Sequence, residues 1–192
     1  LIHFLDERHL LESTIIITAD HGEEFFEHGD YGHFPKLYDE LLHVPLLIYA
    51  PDILAKGRMD SLTRLLDLSP TILWVLGASP CKRFLGTPLS EGLEHDYVIS
   101  ESGHAINNMY SKPRYHQLAI RTRRWKLIYR PFTREIELYD LRHDPSEKIN
   151  VADGHADVVK ELIMILERHR RRELAMTIRA RVGFIRERSR EH

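Results

Sequence analysis

Two short apolar runs, Thr14-Ile15-Ile16-Ile17-Thr18 and Val44-Pro45-Leu46-Leu47-Ile48-Tyr49-Ala50, constrain the fold more than any other feature of this chain. Neither alternates polar with apolar residues. A β-branched run without alternation suits a central strand buried on both faces of a parallel sheet. The flanking segments supply helices. Ile2, Leu5, His9 and Leu10 recur at helical spacing and predict a helix ending near Glu12. Leu68-Ser69-Pro70-Thr71 predicts another, with Ser69 as N-cap, Pro70 at the first helical position and Gly77 as its stop. Helix, strand, loop, strand, helix is the alternation of a doubly wound α/β fold.

Past residue 91 the pattern changes. Tyr97-Val98-Ile99-Ser100, the segment 116–121, the segment 125–129 and Ile136-Glu137-Leu138-Tyr139-Asp140 read as short strands. Turns at 121–124 and 131–135 predict that the last three form an antiparallel meander. Asp153 or Gly154 then precedes a helix on which Val158, Val159, Leu162, Ile165 and Leu166 form one apolar stripe. The chain therefore divides into an α/β portion (1–91), a small α+β unit (92–170) and a basic, arginine-rich tail (171–192) with weak helical periodicity, expected to be loosely ordered.

Charge and composition exclude several classes of function. The formal net charge is −2, which gives no general pull toward nucleic acid. One cysteine, Cys81, allows neither an internal disulfide nor a cysteine-based zinc site. No apolar run approaches the ~20 residues of a membrane span. The chain opens on Leu1 already in helical rhythm, as expected of a piece of a longer product.

The chemistry is concentrated in Thr18-Ala19-Asp20-His21-Gly22-Glu23-Glu24, followed by Glu27-His28-Gly29. A carboxylate and an imidazole stand side by side just past the end of a strand, where open α/β sheets place their ligands. Hard oxygen beside borderline nitrogen suits a divalent metal. Gly22 lets the backbone turn closely around such an ion. On an isolated Asp-His-Gly, a capping Asp and a surface His would be the better reading.

The wider context favours the metal. Thr-Ala-Asp-His-Gly-Glu, then Glu-His-Gly, then Gly32-His33-Phe34-Pro35-Lys36-Leu37-Tyr38-Asp39-Glu40-Leu41-Leu42-His43-Val44-Pro45-Leu46, resembles the second half of the sulfatase domain of the alkaline phosphatase superfamily. Asp67-Leu68-Ser69-Pro70-Thr71, Arg121-Thr122-Arg123-Arg124-Trp125-Lys126-Leu127-Ile128 and Glu137-Leu138-Tyr139-Asp140-Leu141-Arg142-His143-Asp144-Pro145-Ser146-Glu147 resemble later motifs of that family, in the same order.

The resemblance implies part of an alkaline-phosphatase-like sheet followed by a small α+β subdomain with an antiparallel sheet and a packing helix. It implies a sulfuric ester hydrolase dependent on one divalent ion (calcium, manganese or zinc), with Asp20 and His21 as metal ligands. His33 falls where relatives place a cation against the transferred sulfuryl or phosphoryl oxygens, and Lys36 is a weaker candidate for that role. His28 is expected to pack in the loop or to support a ligand; His43, His104, Asp140, Asp144 and Glu147 read as structural or solvent-facing. The family's nucleophile has no counterpart here, because Ser79-Pro80-Cys81-Lys82-Arg83 has the wrong order and place. The implied partners are a sulfate or phosphate ester and the missing N-terminal part of the same domain. The alternatives are a phosphodiester or phosphonate hydrolase, or a phosphoglycerol-type transferase, of the same superfamily. A non-catalytic relative that binds an anion or glycan is a third reading.

The chain by itself is expected to hydrolyse neither an aryl sulfate nor an aryl phosphate. Chromogenic assay of the purified chain checks this, and turnover abolished by Asp20→Ala would overturn it.

Overall fold

In the computed structural model of the chain, residues 2–8, 13–51, 53–79, 84–89, 93–102 and 116–188 are described. The chain forms two compact units, residues 1–98 and 99–192. Cys81 and His104 lie outside the described residues.

The first unit runs α1 (Ile2–Glu7), β1 (Ile15–Thr18), β2 (Glu24–Phe25), β3 (Tyr31–Gly32), α2 (Asp39–Leu42), β4 (Leu46–Tyr49), a 3₁₀ turn (Leu65–Asp67) and α3 (Leu68–Val75). Both unalternating runs are strands, but their pairing differs from the expectation. β1 and β4 are antiparallel, with Ile15 opposite Tyr49 and Thr18 opposite Leu46. Absence of alternation reports that both faces prefer burial, and strand direction does not enter that preference. Direction is set by the connection, and here the chain doubles back through the β2–β3 hairpin and α2 before re-entering as β4. Much of the pair's apolar surface is uncovered in this chain: Ile17 is 40%, Leu46 37% and Leu47 54% exposed.

α3 begins two residues earlier than its sequence suggests, so Ser69 lies inside the helix. The reason is Asp67, whose side chain is fully buried. Its carboxylate accepts from the Arg64 backbone N–H (2.9 Å) and guanidinium (2.8 Å), the Thr87 N–H (2.9 Å) and His95 Nε2 (2.9 Å). These bonds hold the 3₁₀ turn against α3 and leave no extended residue at Ser69 to act as a cap. Burial alone would raise the Asp67 pKa; the Arg64, Thr87 and His95 contacts outweigh it and lower the value. Gly77 follows the helix at φ +69°, the left-handed stop that a Cβ would penalise.

In the second unit β5 (Val98–Ser102), β6 (Gln117–Arg121), β7 (Trp125–Arg130) and β8 (Glu135–Asp140) form one four-stranded sheet in chain order. β6, β7 and β8 pair antiparallel as the predicted meander. α4 (Ala156–Arg188) packs its stripe on this sheet. Leu118, Ile120, Leu127 and Leu138 from the strands meet Leu162 and Leu166 from the helix, all buried. α4 also continues through the arginine-rich stretch, where the sequence suggested loose order; no proline interrupts it before Arg188.

β7 is covered on both faces. Lys126 and Ile128, which alternate with the core residue Leu127, are fully buried as well. Lys126 Nζ pairs with Glu147 at 2.6 Å, both side chains 1% exposed. Glu147 reaches it from a left-handed residue, φ +55°, in the loop that closes the sheet. Lys126→Met should destabilise the second unit by about 3–5 kcal/mol, because an uncompensated carboxylate is left in the interior. Urea denaturation of the single variant against Lys126→Met/Glu147→Gln checks the cause: the pair should recover part of the loss.

Candidate metal and anion site

Asp20, His21 and Gly22 leave the end of β1 as a tight turn pinned to α2. The Gly22 N–H donates to the Leu41 carbonyl at 2.9 Å. A Cβ on Gly22 would stand 1.9 Å from the Glu40 carbonyl oxygen, so only glycine permits this approach. The turn presents the Asp-His pair at the surface. The Asp20 side chain is 90% exposed and that of His21 42%.

His21 is oriented by its own backbone. Nδ1 lies 2.9 Å from the Gly22 carbonyl, which can accept only if Nδ1 carries the proton. Nε2 then keeps its lone pair, 3.7 Å from Asp20 Oδ2. The Gly22 hydrogen bond raises the His21 pKa, and the Asp20 and Glu23 charges add to it against a smaller desolvation effect. The nitrogen and oxygen so presented are donor types that a divalent ion takes.

The loop between β2 and β3 is organised around Glu24, which is fully buried. Its carboxylate accepts from the His28 N–H (2.9 Å), the Asp30 N–H (2.9 Å) and the Lys36 ammonium (3.0 and 2.9 Å). Lys36 Nζ also reaches the His28 carbonyl (2.8 Å) and Asp30 (2.7 Å). Three acceptors thus surround the three ammonium hydrogens, and Lys36 sits as an internal tie of the loop. His28 packs flat on Tyr38, ring centroids 3.6 Å apart and 5° from parallel, with Nδ1 2.6 Å from Glu40. His43 caps the end of α2 and is exposed.

His33 stands beside the Asp-His turn. Its ring centroid is 4.4 Å from that of His21, and its Nδ1 is 2.8 Å from Glu23 Oε1. His21, Glu23 and His33 each bring a ligand atom within 4.8 Å of the others. Structure therefore gathers His21 and His33, keeps Asp20 next to His21, and sets Lys36 and His28 back in the loop. Glu23 and Glu24 were missed by sequence reasoning. The signal was their adjacency at a strand start: neighbours on a strand face opposite ways, so one serves the site and the other the loop interior.

Comparison with known proteins places this fold, with Asp-His at the end of a strand and a meander-plus-helix unit after it, in the C-terminal region of the sulfatase family. Residues 29–172 match the family model described as N-sulphoglucosamine sulphohydrolase, C-terminal, and the chain belongs to that family. It is 32% identical over 178 residues to arylsulfatase K of Canis lupus familiaris, covering 84% of this chain and 32% of that protein. To the N-acetylglucosamine-6-O-sulfatase of Bacteroides thetaiotaomicron it is 31% identical over 182 residues, covering 87% and 32%. A phosphonate monoester hydrolase from Silicibacter pomeroyi superposes with a TM-score of 0.74 at 25% identity, covering 89% and 37%. The chain spans about a third of the length of the curated relatives it matches. Sulfatases of this family are generally dependent on a divalent metal.

Burial by itself would raise the Glu24 pKa; the Asp30, Lys36 and His28 contacts outweigh it and lower the value. The stability that Glu24 contributes is therefore complete above the ordinary glutamate range and is lost as pH falls through the lowered value. Glu24→Ala should unfold the loop locally, removing one of the acceptors around Lys36, and should remove part of this acid sensitivity. Hydrogen exchange of the His28 and Asp30 amides at pH 7 and pH 4 checks both expectations.

Proposed function

We propose that this chain is the metal- and anion-handling part of a sulfuric ester hydrolase. The observation that carries the reading is the turn after β1. His21 is held with Nε2 toward Asp20, and the His33 ring lies 4.4 Å from the His21 ring, in a chain of the sulfatase family. Asp20 and His21 would hold a divalent ion, zinc or manganese by their donor chemistry. Such an ion supplies positive charge to the oxygens of the reacting ester. His33 would contact the sulfuryl oxygens and neutralise charge that grows on them as the ester bond breaks. The nucleophile is proposed to come from the remaining part of the same domain. That part is also the proposed cover for the exposed apolar faces of Ile17, Leu46 and Leu47.

The names of the relatives support a sulfate ester as substrate; two of those reported above are sulfatases. Phosphonate or phosphodiester hydrolysis is the second reading, favoured by the likeness to a phosphonate monoester hydrolase.

The test uses the complete enzyme that contains this chain. Asp20→Ala and His21→Ala should each lower bound metal, measured by elemental analysis, and activity with it. His33→Ala should lower kcat by ~10²-fold or more, whereas Lys36→Ala should act through stability and KM. Turnover of an aryl sulfate in preference to an aryl phosphonate supports the first reading, and the reverse preference supports the second. Unchanged metal and kcat in all the site variants would move the site elsewhere, and absence of turnover by the complete protein would leave a non-catalytic anion binder.

A further inference from the structure

The pairing that builds the hairpin also sets Glu23 against His33. In the β2–β3 ladder Glu24 stands opposite Gly32 and Phe25 opposite Tyr31. One step outward along an antiparallel register brings Glu23 opposite His33. Their side chains meet there, with Nδ1 of His33 2.8 Å from Oε1 of Glu23. The same carboxylate oxygen is 3.9 Å from His21 Nδ1, which already faces the Gly22 carbonyl at 2.9 Å. Glu23 thus pairs with His33 rather than with His21.

An exposed imidazole with no fixed partner presents either nitrogen in many orientations. A carboxylate on Nδ1 removes that freedom and fixes the ring with Nε2 pointing away from the carboxylate. We propose that Glu23 is a positioning residue, whose carboxylate accepts the Nδ1 hydrogen of His33 and aims Nε2 at the sulfuryl oxygens of a sulfate ester. This rests on the assignment of His33 under Proposed function. It supplies what such a contact needs, a fixed orientation, from the residue across the strand. The competing use is direct ligation, since the ligand atoms of His21, Glu23 and His33 lie within 4.8 Å of one another. Metal content distinguishes the two.

The experiment is a double-mutant cycle in the complete enzyme that contains this chain, read by steady-state kinetics on an aryl sulfate and by metal analysis. Glu23 and His33 side chains are 43% and 62% exposed, so truncation should not threaten folding. Glu23→Ala should lower kcat about tenfold with KM within about twofold and metal content unchanged. Glu23→Gln, which keeps an acceptor oxygen of the same reach, should retain more kcat than Glu23→Ala. In the His33→Ala background Glu23→Ala should add no further loss, because the two residues act as one unit. Loss of metal in Glu23→Ala overturns the proposal in favour of ligation. Fully additive losses, or an intact kcat in Glu23→Ala beside a lowered one in His33→Ala, overturn it while leaving the role of His33 standing. An intact kcat in His33→Ala removes the assignment of His33, and this proposal with it.

Discussion

The Glu24 carboxylate, hidden from solvent in the short β2–β3 ladder, holds together the surroundings of the candidate site. It gathers two backbone N–H groups and the Lys36 ammonium around one point. A two-stranded ladder of two pairs is marginal by itself. The ion pair and its hydrogen bonds make the hairpin a defined object, and the register so obtained puts Glu23 opposite His33. On the other side, the Gly22–Leu41 hydrogen bond pins the Asp-His turn to α2. A buried charge thus holds one half of the site and a close backbone contact the other.

The metal and anion handling proposed for this turn needs little from regular secondary structure. The Asp20, His21 and Gly22 backbone is irregular, and the orientation of His21 comes from a neighbouring carbonyl instead of a distant side chain. That local economy suits a ligand pair at a strand end, where every group lies within one turn of chain. The second unit is built on different physics. Its sheet and α4 share a continuous apolar core, and its Lys126–Glu147 ion pair is sealed at 1% exposure. A pair so deep is kept only with close geometry, since the desolvation of both ions must be offset.

Much of this was legible from the residues in order. The meander, the stripe of α4, the strands at β1 and β4 and the Asp-His-Gly turn each rest on local periodicity or on backbone chemistry within a few residues. Those signals survive without knowledge of the partner. The antiparallel pairing of β1 with β4 was not legible, because a run of isoleucines states a wish for burial without naming a direction. The start of α3 was not either: Ser69-Pro70 is a good local signal, and Asp67 overrode it through contacts with Thr87 and His95, far along the chain.

The sequence by itself determined the family, the ordered motifs and the identity of the candidate groups Asp20, His21 and His33, since these depend on residue type and spacing. Only the tertiary structure decided which carboxylate serves which partner. Glu23 and Glu24 are neighbours of one chemical kind, yet the strand pleat turns one toward His33 and the other toward Lys36. It also decided that Lys36 has its ammonium enclosed by loop acceptors, while His33 stands by His21. Charge and type are written in sequence, but distance and burial arise only when the chain has closed on itself.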